Sequence, residues 1–257
     1  MAADIETTRE GHVGLIEIRR PPHNYFTIKL IHEIGDVLRV FDADKEIRAV
    51  VLAAHGANFC AGADLTDHGD FGGADLAERF GELYDAGTEL LRTKKPIVAA
   101  IEGAAVGGGV GLALVADFRV ASPASRFTVN FVKLGIHPGF GLTVTLPRLV
   151  GEQKAAELFL TGRRIGGEEA HAIGLVDRLA ADGQVRAGAF ALANEIAVNA
   201  PLAIMSIRET LRLGLAEGAR ERMDRERGEQ IWLRRTADAA EGIRAVTERR
   251  DGRFTAS

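Results

Sequence analysis

Apolar residues recur along the chain with two different spacings. Val13, Leu15, Ile16 and Ile18, with Glu17 and Arg19 among them, read as a strand. Pro21 and Pro22 end it, because proline removes a donor and fixes φ. Over residues 29–41 the spacing lengthens, and Leu30, Ile34, Val37, Leu38 and Phe41 share one helical face. Arg48 and the apolar residues after it, over 48–54, predict a short buried strand. A loop of small residues follows over 55–65, then a polar, glycine-containing segment over 66–73 that is expected to be mobile. Residues 75–91 return to helical spacing through Leu76, Phe80, Leu83, Gly87 and Leu90. The apolar run 96–101 leads into a glycine-rich stretch, and a helix-like run over 110–116, closed by Asp117, leads out.

Beyond it, 118–121 and 126–129 are short strand candidates, and 132–141 is a loop with Pro138. Helices are expected over 141–150, 152–160 and 167–173, the last stopped by Gly174. From residue 184 the chain reads as helical. Ala200-Pro201 separates two helices, and Gly218 separates the second from a long last one over about 220–248. That helix carries an incomplete stripe of Met223, Ile231, Trp232, Ala239, Ile243 and Val246, opposite a face of Arg/Glu pairs. βα units first and helices last imply an α/β core over residues 1–195 and a helical C-terminal part over 196–257. Because the tail's stripe is incomplete, it is expected to pack on a neighbour, so a homo-oligomer is the natural inference.

Composition narrows the classes. At 257 residues with 46% hydrophobic and 26% charged, the chain suits one large domain or a core with an appendage. A net charge of −4 leaves no overall basic footprint, so no nucleic-acid partner is expected. Cys60 is the single cysteine, which rules out an internal disulfide framework and suits a reducing compartment. Residues 1–11 lack an apolar signal core, and the uncharged runs are too short to span a bilayer. A cytoplasmic protein with no membrane partner is the expectation. There is no P-loop, no G-x-G-x-x-G and no G-x-S-x-G. One cysteine and no paired histidines at helical spacing argue against a metal site.

Two turns of small residues remain, Cys60-Ala61-Gly62-Ala63 and Gly107-Gly108-Gly109, each after a buried strand. Five glycines fall within residues 103–111. Glycine lets another group approach the backbone closely, and free N–H groups at a helix start favour negative charge. Two backbone N–H groups converging on one oxygen stabilise a developing oxyanion.

On these residues the chain resembles the crotonase, or enoyl-CoA hydratase/isomerase, family. Asn58-Phe59-Cys60-Ala61-Gly62-Ala63-Asp64-Leu65 is similar to that family's first oxyanion-hole motif. The run from Lys95-Pro96 through Gly107-Gly108-Gly109 to Ala116-Asp117 is similar to its second. Leu134-Gly135-Ile136-His137-Pro138-Gly139, Leu160-Thr161-Gly162-Arg163, the run from Glu169 to Asp177 and Arg253-Phe254 also fit. The resemblance implies a spiral of ββα turns with a helical C-terminal trimerisation region. It implies a homotrimer or a dimer of trimers, and an acyl-CoA substrate. No cofactor is bound permanently, since coenzyme A is part of the substrate. It assigns the thioester oxygen to the N–H groups of Ala61 and Gly108. The turn Ala61-Gly62-Ala63-Asp64 would lie along the adenine and pantetheine, with Arg20 and His23 near the phosphates. The Gly139 backbone would hold a water, and Phe254 would cover the adenine of a neighbouring subunit.

The chain departs from the family at the two glutamates its hydratases use. Those positions hold Gly111 and Phe131. Neither side chain can activate water or protonate a carbon. His137 is then the nearest titratable candidate for a base. Asp67 and His68 follow the first motif, Asn130 is a candidate to orient a water or a carboxylate, and Asp117 reads as a structural pair. The expectation is an acyl-CoA enzyme that stabilises a thioester enolate or oxyanion but is not a standard hydratase. The alternatives are an inactive acyl-CoA-binding protein, or a hydratase/isomerase with a non-standard base.

Overall fold

The computed structural model describes residues 4–63 and 76–257. Strands β1 (Ile5–Glu10) and β2 (Val13–Ile18) form an antiparallel hairpin. Helix α1 (Ile28–Ala43) returns the chain to β3 (Ala49–Ala54), and α2 (Leu76–Leu91) to β4 (Ile97–Ile101). Parallel pairing of β2 with β3 and of β3 with β4 needs such crossovers, since a tight turn only reverses direction. The sheet continues through β6 (Phe118–Ala121) to β9 (Arg178–Leu179), in the order β1-β2-β3-β4-β6-β9. A second sheet sets β5 (Ala104–Val106) beside β7 (Arg126–Thr128) and β8 (Arg164–Gly166).

Both faces of the central strands β2, β3 and β4 are covered, so these strands are largely apolar instead of alternating. Ile16, Ile18, Val50, Leu52, Ile97 and Ala99 face α1 and α2 in the main core. Val13, Leu15, Val51, Ala53, Val98 and Ala100 face α7 (Val185–Ala197), which buries Val185, Ala189 and Ala193 against them. Short helices surround the smaller sheet: α3 (Gly108–Ala113), α4 (Leu142–Val150), α5 (Glu152–Thr161) and α6 (Gly167–Ala172).

The C-terminal helices are α8 (Pro201–Leu211), α9 (Leu215–Leu233) and α10 (Ala237–Thr247). They differ from the sequence reading in two ways. The break before α9 falls at Gly214, in the left-handed region with φ 77°, while Gly218 lies inside the helix. The long last helix is in fact two, divided where the Thr236 hydroxyl caps α10 by accepting from the Ala239 N–H at 3.1 Å. β1 was not foreseen because only Ile5 of its six residues is even half-buried, so it shows no apolar alternation. Among the described residues no single helix is long and apolar enough to cross a membrane.

Candidate functional site

The two turns meet because Cys60 bridges to Ala105 of β5. Its N–H donates to the Ala104 carbonyl at 3.1 Å, and its carbonyl accepts from Val106 N–H at 3.0 Å. A second tie comes from the Pro21/Pro22 turn. Asn24 is fully buried and sits in the left-handed region with φ 50°. Its amide donates to the carbonyls of His55 and Asn58, at 2.9 and 2.7 Å, while its Oδ1 accepts from Arg20 N–H. Phe26 N–H then donates to the Gly62 carbonyl at 2.9 Å. Glycine is required where the two turns touch. A Cβ on Gly109 would collide with the Cys60 carbonyl. At Gly62 the backbone has φ 91°, and a Cβ would lie 2.9 Å from the Val106 carbonyl.

This geometry corrects one assignment. The Ala61 N–H donates to the His23 carbonyl at 3.0 Å, so it is already engaged within the protein. The N–H groups of Ala63 and Gly108 have no acceptor among the described residues. They also sit side by side: a Cβ built on Gly108 would lie 3.9 Å from the Ala63 nitrogen, and one on Gly62 3.4 Å from the Gly108 nitrogen. In the first turn the open N–H therefore lies two residues after Ala61, the position the motif reading gave.

Ala63 and Gly108 open onto a cavity of about 580 Å³. Phe26, Phe131, Leu134, Ile136 and Phe140 line much of it, with Tyr84, Gln230 and Arg234 on the wall that α2 and α9 contribute. No Asp, Glu, His or Lys is among the described residues that line it. Phe131 lies in the wall, and Asn130 lines the cavity near Gly107. Gly111 is tightly packed: a Cβ there would lie 3.0 Å from the Phe140 ring and 3.3 Å from the Phe140 carbonyl, so Phe140 would have to give. Gly139 lines the cavity too, and a Cβ on it would collide with the Tyr84 hydroxyl.

Electrostatics follow burial. The Cys60 thiol is pushed up to about 12 by desolvation, so it stays protonated as a small core residue. Burial likewise raises Tyr84 well above its ordinary range, leaving its hydroxyl neutral. Behind the cavity, Glu226 of α9 is buried and pushed up to about 7 by desolvation. It accepts from Gly141 N–H at 2.9 Å, and from the Thr143 N–H and hydroxyl at 3.1 and 2.6 Å. Nothing in the apolar spacing of α9 marked Glu226 out, because one acidic residue among many Arg/Glu pairs carries no signal.

Other expected site residues lie apart. His137 does not line this cavity. It borders a separate one with Trp232 and Phe254, and its Nδ1 is 2.7 Å from the Pro138 carbonyl. Its link to the site is its own carbonyl, which accepts from the Gln230 amide at 2.8 Å. Phe254 is half-exposed in a C-terminal tail that folds back on α10 through Thr255 and Asp238. Arg20 bonds the Thr27 hydroxyl and the Asp4 carboxylate, and the His23 ring meets Tyr25 edge-on at 5.5 Å. Asp117 pairs with Arg208 and Arg212, at 2.8 and 2.9 Å, and accepts from Ile97 N–H, the structural role expected. Asp64, Asp67, His68 and the 66–73 segment lie outside the described residues. Among the described residues no three His, Cys, Asp or Glu side chains gather as a metal would need.

Comparison with known proteins follows the same lines. The family pattern described as enoyl-CoA hydratase/isomerase matches residues 8–257. A probable enoyl-CoA hydratase of Rhizobium meliloti is 36% identical over 251 residues, spanning 95% of each chain. A carnitinyl-CoA dehydratase of Citrobacter koseri is 35% identical over 257 residues, spanning 98% of each. A crystal structure of an enoyl-CoA hydratase/isomerase from Pseudoalteromonas atlantica superposes with a TM-score of 0.85 at 29% identity, over 98% of this chain and 100% of its own.

Proposed function

The chain belongs to the enoyl-CoA hydratase/isomerase family, and from that premise we propose that it turns over an acyl-CoA thioester by stabilising an enolate, without the two carboxylates of a standard hydratase. The observation that carries this is the pair of open N–H groups, on Ala63 and Gly108, facing a cavity whose described lining holds no Asp, Glu or His. Both N–H groups donate to the thioester oxygen and strengthen as negative charge develops on it. A donor of this kind is worth about 10²–10³ in rate. Ala61, its N–H held by His23, shapes the turn. Coenzyme A enters as part of the substrate, and no other cofactor is required.

Hydration needs a group to activate water and one to protonate the α-carbon. Gly111 and Phe131 offer neither, and His137 faces another cavity. Loss of CO2 from an acyl group with a carboxylate on its α-carbon asks least of this site. The bond from the α-carbon to the carboxylate breaks, its electron pair becomes the enolate, and CO2 leaves. A solvent proton then closes the α-carbon. Thioester hydrolysis and a double-bond shift by another base are the other reactions an oxyanion site of this kind serves.

The test is a turnover screen that follows crotonyl-CoA hydration, CO2 release from malonyl- and methylmalonyl-CoA, and free thiol release. Hydration is expected at background, with turnover in one of the other channels. Crotonyl-CoA hydration on the order of 10 per second would sink the proposal. Tight thioester binding with no turnover anywhere would make the chain an acyl-CoA-binding protein.

A further inference from the structure

Arg234 is the one charged side chain among the described residues that line the cavity, and no carboxylate lines it beside that charge among those residues. Its Nε is buried with no hydrogen-bond acceptor, and no carboxylate among the described residues pairs with it. The guanidinium carbon lies 5.2 Å from the centre of the Phe80 ring. That contact sets the cation over the face of the ring. A ring face is no full hydrogen-bond acceptor, so the contact leaves Nε without one. Burial lowers the affinity of Arg234 for its proton, yet arginine stays cationic at neutral pH.

The surroundings are donor-rich. Tyr84 keeps its hydroxyl proton, and Gln230, one turn before Arg234, already directs its amide N–H to the His137 carbonyl. Glu226, a further turn back, is fully engaged by Gly141 and Thr143 and does not line the cavity. Leu83, Leu134, Ile243 and Val246 also line the cavity, with Thr247, whose hydroxyl donates to the Ile243 carbonyl. A half-buried cation with a buried, unpaired donor is better satisfied when an anion enters from outside. A guanidinium fork suits a carboxylate in particular.

Gly108 lies against the Phe26 ring, and the Phe26 and Phe140 rings lie 5.3 Å apart. Phe80 and Tyr84, at 5.8 Å, form a second aromatic pair, and the Arg234 guanidinium lies over Phe80. Both pairs line the cavity that the open N–H groups and the guanidinium share. We infer that Arg234 is a specificity residue that receives a carboxylate at the far end of the acyl chain, so the substrate is the CoA thioester of a dicarboxylic acid and not of a plain fatty acid. This rests on the acyl-CoA reading above and adds the chemistry of the acyl end.

The test is calorimetric titration of the full-length protein with thioesters matched in chain length, succinyl-CoA against butyryl-CoA and glutaryl-CoA against pentanoyl-CoA. Arg234→Met, which keeps the stem's length and apolar packing, and Arg234→Lys, which keeps the charge, are compared with the wild type. The wild type is expected to favour the carboxylate member of at least one pair by about tenfold, or about 1.4 kcal/mol. Arg234→Met should bring that ratio near one, and Arg234→Lys should keep part of it. A wild-type ratio at or below one overturns the inference. So does an equal weakening of both members in Arg234→Met, which would assign the guanidinium to the phosphates of coenzyme A, common to every probe. If none of the four thioesters binds the folded protein, the acyl-CoA reading itself fails. If the methyl-ended members bind and the carboxylates bind no tighter, only the assignment of Arg234 fails.

Discussion

Gly111 is the residue at which the proposed chemistry is most directly tested. A side chain there would press on Phe140, which holds φ 60° beside it. Restoring a carboxylate by Gly111→Glu therefore should not restore hydration. We expect crotonyl-CoA turnover by this variant to stay at background. Overpacking against Phe140 should also lower stability by about 1–3 kcal/mol, read from the urea midpoint. A variant as stable as the wild type would mean that Phe140 moves aside freely. The role of Ala63 is tested at the same scale. Ala63→Pro removes one N–H while the Ala61 bond to His23 is left in place. Turnover should fall by about 10²–10³ in a protein whose melting temperature shows it folded. Undiminished turnover would remove Ala63 from the oxyanion pair.

At the scale of elements, α9 is joined to the start of α4 through Glu226. Its carboxylate takes the N–H groups of Gly141 and Thr143, next to Gly139 and Phe140 in the cavity wall. Burial raises its folded-state value to about 7, above the ordinary 4.5. The folded protein therefore binds this proton more tightly than the unfolded chain does. The corresponding stability is fully present below about pH 4.5 and is lost as pH rises through about 7, a change on the order of 3 kcal/mol. Glu226→Gln cannot titrate. The difference in unfolding free energy between variant and wild type should therefore change steadily from pH 5 to pH 8 and level off above. A pH-independent difference would show that Glu226 does not titrate in this window. The elements themselves were largely legible: α1, α2, β2, β3 and β4 stand where the apolar spacing places them, because each buries a continuous face. β1, β8 and β9 were not, because they are short or exposed and are held by pairing more than by apolar burial.

For the whole molecule, the informative surface is α8. Leu202, Ile207 and Leu211 are 76%, 60% and 69% exposed, and Ile207 and Leu211 border an apolar groove with Leu149 and Phe118. Large contiguous apolar patches mark contact sites. The family resemblance implies a homotrimer or a dimer of trimers, and a second copy of the chain is the occupant predicted for this face. Sedimentation velocity at micromolar concentration should give three or six times the 27.5 kDa chain mass. Leu202→Glu combined with Ile207→Glu should shift it toward the monomer. A wild-type monomer would end the expectation.

The amino-acid order was enough for the family, the α/β class and both glycine turns, because these are written in local composition and in motifs contiguous along the chain. It could not show which N–H groups stay open, since that depends on a bond from Ala61 to His23, 38 positions away (61 − 23). Nor could it show that His137 turns to a different cavity, or that Arg234 lies unpaired beside Phe80, some 154 positions earlier (234 − 80). Contacts between residues so far apart exist only once the sheet, α2 and α9 are packed together, and it is those contacts that separate the donors open to a ligand from the ones the protein uses itself.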